Sequence, residues 1–207
     1  MGRKRLTEET RCPDCLLNRM HCYCHALQTT FNRTKITAVL HYSEVFLTSN
    51  TAHLLKQTLS DARLFVRNSL GIIENSETFL AEDFENIVLF PADHAIPLEN
   101  MVFHKPVHLI IPDGSWNQAK KMYRKDPILS TLRAVSITPR GPSRYFLRRQ
   151  GRENGLCTYE AVACALGILE GEKVYSHMMA QFETAMNAIH ASRNNVSTRD
   201  HNFTPVV

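Results

Sequence analysis

The sequence lacks any long apolar segment. No apolar run approaches the roughly 18 residues that a membrane span requires. The first residues, Met-Gly-Arg-Lys-Arg, are followed by polar residues rather than by the apolar stretch of a secretory signal. We therefore expect a cytoplasmic protein with no membrane segment. Its 207 residues are 43% hydrophobic, which excludes global disorder and predicts one domain with a small appendage.

Several signatures of nucleotide chemistry are also missing. The chain contains no G-x-G-x-x-G and no G-x-x-x-x-G-K-[ST], so neither a Rossmann dinucleotide site nor a Walker-type NTPase is indicated. A nucleobase deaminase needs H-x-E followed later by P-C-x-x-C. Here Cys12-Pro-Asp-Cys15 precedes His41, and Glu44 stands three residues after that histidine, so order and spacing both exclude this class.

Cysteine, in contrast, is concentrated near one end. Four of the six cysteines form the pattern C-x2-C-x6-C-x-C, made by Cys12, Cys15, Cys22 and Cys24. Two close thiolate pairs can complete a tetrahedron around zinc, or less often hold an iron–sulfur cluster. The flanking His21 and His25 are alternatives to one cysteine. So short a segment has no core of its own, and the metal would supply its folding free energy.

Charge is unevenly distributed along the chain. Residues 117–152 contain ten basic residues and a single acidic one, whereas residues 70–100 contain seven acidic residues and no lysine or arginine. This pattern favours a polyanionic partner, nucleic acid above all, over a basic face that is merely solvated.

Apolar runs alternate with helical patterns and predict an α/β fold, with a mainly parallel sheet flanked by helices. The predicted strands are 35–41, 64–66, 87–90, 107–111 and 134–138. The predicted helices are 51–59, 115–124, 159–169 and 176–190, with capping boxes or caps at Ser115 and Thr158. We divide the chain into an amino-terminal zinc-binding segment (1–34), a catalytic domain (35–191) and a disordered tail (192–207).

Ligands of open α/β sheets bind at the carboxyl ends of strands. Asp113 ends an apolar strand and precedes a glycine, which suits either a ligand site or a cap for the next helix. Trp116 suits either the core or a base-stacking position. The loops that start at His41 and Phe90 carry further polar side chains, and the helix start at Thr158 could hold an anionic group.

Together these motifs resemble the DTW-domain family of tRNA-uridine aminocarboxypropyltransferases, which is placed near the SPOUT RNA methyltransferases. The resemblance covers about residues 11–170. It is carried by the four cysteines, His41-x-x-Glu44 with Ser49-Asn50-Thr51, Leu89-Phe90-Pro91-x-Asp93-x-Ala95, Asp113-Gly-Ser115-Trp116-x-Gln118-Ala119-Lys120-Lys121-Met122, Tyr145-x-Leu147-Arg148 and Leu156-Cys157-Thr158-x-Glu160-Ala161. The family usually has threonine at Ser115, and often has arginine near Leu47 and serine at Cys157.

The resemblance implies transfer of the 3-amino-3-carboxypropyl group of S-adenosylmethionine to N3 of a tRNA uridine. It also implies a SPOUT-like fold with a knot in its carboxyl-terminal part. The sequence leaves open whether the protein is a monomer or a homodimer. On this basis Asp113 is the expected base, with His41 in reserve. The expected binding residues for S-adenosylmethionine are Pro91, Asp93, Ala95, Ser115, Trp116, Thr158 and Glu160. Those expected for tRNA are Lys120, Lys121, Arg124, Arg144, Tyr145, Arg148 and Arg149. Two alternatives are a SPOUT-type RNA methyltransferase and a zinc-dependent RNA-binding module without catalysis.

Overall fold

The computed structural model describes residues 10–67, 80–147 and 155–194. Within these residues six parallel strands form one sheet, in the order β2-β1-β5-β3-β6-β4. The strands are β1 (Lys35–His41), β2 (Ala62–Arg67), β3 (Glu85–Leu89), β4 (Ile96–Pro97), β5 (Val107–Asp113) and β6 (Arg133–Ser136). The helices are α1 (Ala52–Thr58), α2 (Trp116–Lys125), α3 (Thr158–Glu170) and α4 (Glu172–Arg193). The predicted α/β fold with a mainly parallel sheet is thus confirmed.

The centre of the sheet is β5, which pairs with β1 on one side and with β3 on the other. All seven residues of β5 are buried, and the five inner residues of β1 are buried as well. Their continuous apolar sequences suit strands that are covered on both faces. Leu40 of β1 lies opposite Asp113 of β5, so both strands end at the same edge of the sheet.

Helices α1, α3 and α4 contribute to one hydrophobic core cluster with the sheet. Helix α3 packs against α1 and α4, and ten of its thirteen residues carry apolar side chains or glycine. Gly171 separates α3 from α4 with a φ of 105°, a conformation that glycine adopts without strain. Among the described residues, no helix is both long enough and apolar enough to cross a membrane.

The clearest differences from the predicted elements concern β4, α3 and α4. Strand β4 is only two residues long and contains a proline, so its sequence shows no strand pattern. Helix α3 begins at Thr158 itself with Cys157 as its cap, so Thr158 is the first helical residue and not the cap. Helix α4 begins before the predicted residue 176 and ends at Arg193, so the first two residues of the predicted tail are helical. Residues 195–207 lie outside the described residues.

Candidate active site

A cavity of about 870 Å³ opens at the carboxyl edge of the sheet. Its walls come from the ends of β3, β5 and β6, from residues 49–51 after β1 and from the start of α3. This is the edge at which parallel α/β sheets bind ligands, and the volume lies in the usual range of ligand sites. The fold therefore brings together chain segments that are far apart in sequence.

Asp113 lies in the wall of this cavity and is 4% exposed. One carboxylate oxygen accepts a hydrogen bond of 2.5 Å from the Asn50 amide, and the other accepts one from the Thr158 hydroxyl. Burial raises the pKa of the Asp113 carboxyl above its ordinary value; the two hydrogen bonds oppose this rise and the nearby charge of Glu44 adds to it. A buried carboxylate of raised pKa is a better proton acceptor than an exposed one.

A backbone hydrogen bond fixes the orientation of the Asn50 side-chain amide. Its side-chain oxygen accepts a hydrogen bond of 2.8 Å from the backbone N–H of Ala52, at the start of α1. The amide nitrogen must then face the cavity, where it lies 2.5 Å from Asp113 and 3.4 Å from the buried carboxylate of Glu44. One amide thus donates towards two buried carboxylates.

His41, the expected reserve base, lies at the end of β1 beside the start of α2. It is half-buried and is not among the described residues that line the cavity. Its Nδ1 atom lies 2.8 Å from the Ser43 hydroxyl and 3.2 Å from the Gln118 amide nitrogen. Burial lowers the pKa of His41 below its ordinary value. These contacts connect the loop after β1 to the first turn of α2.

The residues expected to bind S-adenosylmethionine divide into two groups. Four of them line the cavity, namely Pro91, Ser115, Trp116 and Thr158. Asp93 is exposed and Ala95 half-buried, and neither belongs to the described lining. Glu160 is buried behind the wall, where its carboxylate accepts hydrogen bonds from the Ser143 hydroxyl (2.6 Å) and from the backbone N–H groups of Arg144 and Cys157. In this structure Glu160 therefore holds the segment around residue 143 to the start of α3.

The residues expected to bind RNA are also divided. Lys120, Lys121 and Arg124 are exposed along α2, and Lys120 belongs to the cavity wall as well. Arg144 is exposed and forms an ion pair with Glu183. Tyr145 is buried, and its hydroxyl donates a hydrogen bond of 2.7 Å to the carbonyl oxygen of Ser49. Arg148 and Arg149 lie outside the described residues.

The four amino-terminal cysteines form a cluster apart from the cavity. The Sγ atoms of Cys12, Cys15, Cys22 and Cys24 all lie within 4.8 Å of one another, and those of Cys12 and Cys24 are 3.8 Å apart. Sulfur ligands of a tetrahedral zinc, at Zn–S distances of about 2.3 Å, are separated by roughly 3.8 Å. The cluster therefore fits a zinc ion. His21 and His25 are not part of it.

The cysteine cluster is attached to the rest of the fold through α1. The Gln57 side-chain amide donates a hydrogen bond of 2.9 Å to the carbonyl oxygen of Asp14, and its oxygen lies 3.6 Å from the Cys24 sulfur. Further along the chain, the Gln28 backbone N–H donates to the Gln181 side chain of α4.

Two residues of the site are absent from the predicted set. Asn50 and Glu44 belong to the motif after β1, but the sequence pattern assigns neither of them a role. Their signal is their position, because both lie in the loop between β1 and α1 and therefore at the carboxyl edge of the sheet. Gln57 carries no such signal, because only the folded chain places it beside the cysteines.

Comparison with solved structures supports the fold. A SAM-dependent rRNA:acp-transferase, Tsr3 from Vulcanisaeta distributa, superimposes with a TM-score of 0.52 over 78% of this chain and 80% of its own, at 18% sequence identity. At this level of identity the likeness concerns the fold alone.

Sequence relatives have one name in common, tRNA-uridine aminocarboxypropyltransferase 2. The Drosophila melanogaster protein is 29% identical over 168 residues, which cover 77% of this chain and 66% of that protein. The Mus musculus protein is 29% identical over 143 residues, covering 66% of this chain and 48% of that protein. The Macaca fascicularis protein is 27% identical over 170 residues, covering 77% and 56%. The chain thus spans between about half and two thirds of the length of these curated relatives.

The family pattern of the DTW domain matches residues 9–190, which include the cysteine cluster, the cavity and most of α4. Since this match extends over far more than half of the sequence, the chain belongs to the DTW-domain family.

Proposed function

We propose that this protein transfers the 3-amino-3-carboxypropyl group of S-adenosylmethionine to N3 of a uridine in tRNA. The observation that carries the proposal is Asp113, a buried carboxylate of raised pKa in the wall of a ligand-sized cavity. The names of the curated relatives support the same substrate and the same transferred group.

The reaction needs a proton acceptor beside the nucleotide. Uridine N3 carries a proton that ionises only above neutral pH, so N3 is a poor nucleophile until that proton is removed. Asp113 takes the proton, N3 forms a bond to the γ-carbon of the donor, and the bond between that carbon and the sulfonium breaks. The electron pair of the broken bond stays on sulfur, which leaves as the neutral thioether methylthioadenosine.

The donor is positively charged at its sulfonium, and the cavity presents two buried carboxylates. Glu44 and Asp113 both lie in the cavity wall, on either side of the Asn50 amide. Negative charge in a site shielded from water stabilises a cationic ligand more than it would in solution. Because the γ-carbon rather than the methyl group must face N3, firm orientation of the donor matters as much as its affinity.

We assign the metal site to Cys12, Cys15, Cys22 and Cys24, with zinc in a structural role. Four sulfur ligands would complete a tetrahedron around zinc, which favours a closed structural site over a catalytic one. Bound zinc would hold the amino-terminal segment in its folded form.

We also propose two finer features that the family resemblance implies. The first is a SPOUT-type arrangement with a knotted carboxyl-terminal part, and the second is a cytoplasmic location. The parallel sheet with its site at the carboxyl edge is consistent with the first. An experimental structure of the full chain tests the knot, a feature that few proteins have.

Mass spectrometry of nucleosides from tRNA incubated with the protein and S-adenosylmethionine tests the proposed activity. We expect a uridine that has gained an aminocarboxypropyl group, together with methylthioadenosine in equal amount. Asp113→Asn, assayed in parallel, controls for a contaminating enzyme. A methylated nucleoside together with S-adenosylhomocysteine would identify an RNA methyltransferase instead. Bound tRNA with no modified nucleoside would favour an RNA-binding module.

A further inference from the structure

We propose that the loop after β1 carries an aromatic platform, made by Tyr42 and Phe46, which stacks unpaired RNA bases next to the target uridine. The proposal rests on the proposed function, because it assigns a contact surface to the same substrate. It adds a stacking surface to the expected phosphate contacts.

The two rings are unusually exposed for apolar side chains. Phe46 is 79% exposed and Tyr42 is 48% exposed, and Leu47 beside them is 39% exposed. Phenylalanine side chains are usually buried, so solvent-facing rings grouped on one short loop are unfavourable unless they have a partner.

The loop that presents these rings is anchored at several points. Gln118 of α2 lies 3.1 Å from the Ser43 hydroxyl and 3.2 Å from His41. The Leu47 backbone N–H donates to the carbonyl oxygen of Glu44, and Glu44 is itself buried in the cavity wall. The His41 ring lies 4.5 Å from that of Tyr42. The rings are thus displayed by a fixed loop, and residues 49–51, which follow it directly, form the wall beside Asp113.

The chemistry of the substrate explains why bases would lie there. Uridine N3 is on the Watson–Crick edge, so it can be reached only when the nucleotide is unpaired. In a single-stranded loop the neighbours of such a nucleotide are unpaired as well, and proteins commonly stack such bases on aromatic side chains.

The charge next to the loop also matches RNA. Helix α2, which Gln118 joins to the loop, exposes Lys120, Lys121 and Arg124, and Lys120 extends this basic face to the cavity. A strand of RNA could therefore place phosphates along α2 and bases on the loop at the same time. This complementarity favours RNA over an apolar protein partner.

The test measures binding rather than turnover, using unfractionated tRNA and, separately, S-adenosylmethionine. We expect Phe46→Ala to weaken tRNA binding roughly ten-fold, the usual scale for losing one stacked base. The dependence of binding on salt should be unchanged, since stacking releases no counterions. Phe46→Trp should preserve tRNA affinity, and affinity for S-adenosylmethionine should be equal in all variants.

Phe31→Ala is the matched control. Phe31 is 77% exposed, almost the same as Phe46, but it precedes β1 and so lies towards the opposite edge of the sheet. The proposal is wrong if Phe46→Ala binds tRNA like the parent protein, if Phe31→Ala loses as much affinity, or if Phe46→Ala instead dissociates a dimer in size-exclusion chromatography. A parent protein that binds tRNA without modifying it would contradict the proposed function while leaving this test intact.

Discussion

The side-chain amide of Asn50 donates a hydrogen bond of 2.5 Å to the carboxylate of Asp113, which lies 63 positions further along the chain. The Thr158 hydroxyl donates to the other oxygen of the same carboxylate. Both donors favour the ionised form, whereas burial favours the neutral one. The two hydrogen bonds hold the Asp113 carboxyl group in place. Because burial opposes their effect on its pKa, the group can still exchange a proton.

Asp113→Asn is expected to lower turnover by roughly 10² or more, the usual scale for losing a positioned base. The amide keeps the shape of the side chain, and the Thr158 hydroxyl can turn to accept a hydrogen bond from it, so the fold and most of the donor affinity should remain. Higher pH should partly rescue the variant, because more uridine then ionises without a base. Steady-state kinetics between pH 7 and 9 check this.

Two outcomes would contradict that role. Near-normal turnover at neutral pH would mean that Asp113 serves only as a structural acceptor. Lost donor affinity at normal stability, measured by calorimetric titration, would make it a ligand of S-adenosylmethionine.

The raised pKa of Asp113 also predicts how stability depends on pH. Because burial raises this pKa in the folded state, its contribution is fully present below the unfolded value and is lost as pH rises through the folded value. Asp113→Asn cannot ionise, so its free energy of unfolding should increase relative to that of the parent protein as pH rises. Urea denaturation at several pH values measures the difference, and a constant gap would contradict the prediction.

Thr158→Val is expected to move the acid limb of the pH–rate profile to higher pH. The lost hydroxyl donates to the ionised carboxylate, so its removal raises the pKa of Asp113 further. Thr158→Ser keeps the hydroxyl and should keep the profile of the parent protein. If both variants lose activity equally at every pH, Thr158 acts through packing instead.

Purified protein is expected to contain about one zinc per chain, and Cys15→Ser should lose most of it and unfold at a lower temperature. Elemental analysis with thermal denaturation checks both. Cys164→Ser is the control, because Cys164 is also buried but lies within α3, away from the cluster. Fresh protein without metal, with all four thiols freely titratable, would refute the site.

Charge reversal of Lys120, Lys121 and Arg124 to glutamate should weaken tRNA binding and flatten its salt dependence. The slope of log affinity against log salt concentration should fall by roughly 0.7–0.9 for each lost phosphate contact. Lys173→Glu is the control, because Lys173 is exposed at the start of α4. It lies three residues after Glu170, whose carboxylate accepts a hydrogen bond from the backbone just before β1, at the end of the strand opposite to the cavity. An unchanged slope would place the RNA surface elsewhere.

Arg144→Glu should have a smaller effect than the reversals on α2, because Arg144 is already paired with Glu183. Reversal of Arg148 and Arg149 is expected to weaken tRNA binding as the α2 reversals do. Comparing the salt slopes of these variants shows which part of the basic region contacts phosphates.

Local sequence patterns predict the central elements well. The bounds of β1 agree with its apolar, β-branched sequence, and both hydrogen bonds of the Ser115 and Gln118 capping box are present. In each case the signal lies within a few residues, where propensity and side-chain reach determine the structure. Asp113 at the end of β5 is predictable for the same reason, since the strand end fixes its edge of the sheet.

Local sequence patterns do not predict contacts between residues that are distant in sequence. Glu160 resembles a ligand at a helix start, yet its oxygens are used by Ser143 and by two backbone N–H groups. Asp93 follows β3 much as Asp113 ends β5, but its side chain is exposed. Whether a polar side chain is buried depends on hydrogen-bond donors that are distant in sequence. A single sequence does not specify which donor pairs with which side chain.

The short helix α1 connects the cysteine cluster to the cavity, and this connection has a consequence when the thiols are oxidised. Its seven residues span about 10 Å. The Asn50 side chain, which holds Asp113, accepts a hydrogen bond from the first backbone N–H of α1, and Gln57, near the other end, lies 3.6 Å from the Cys24 sulfur. We expect oxidation of the thiols to displace α1 as a unit and so to disturb the carboxylate at its far end. The proposed activity would then fall on oxidation while the sheet remains folded.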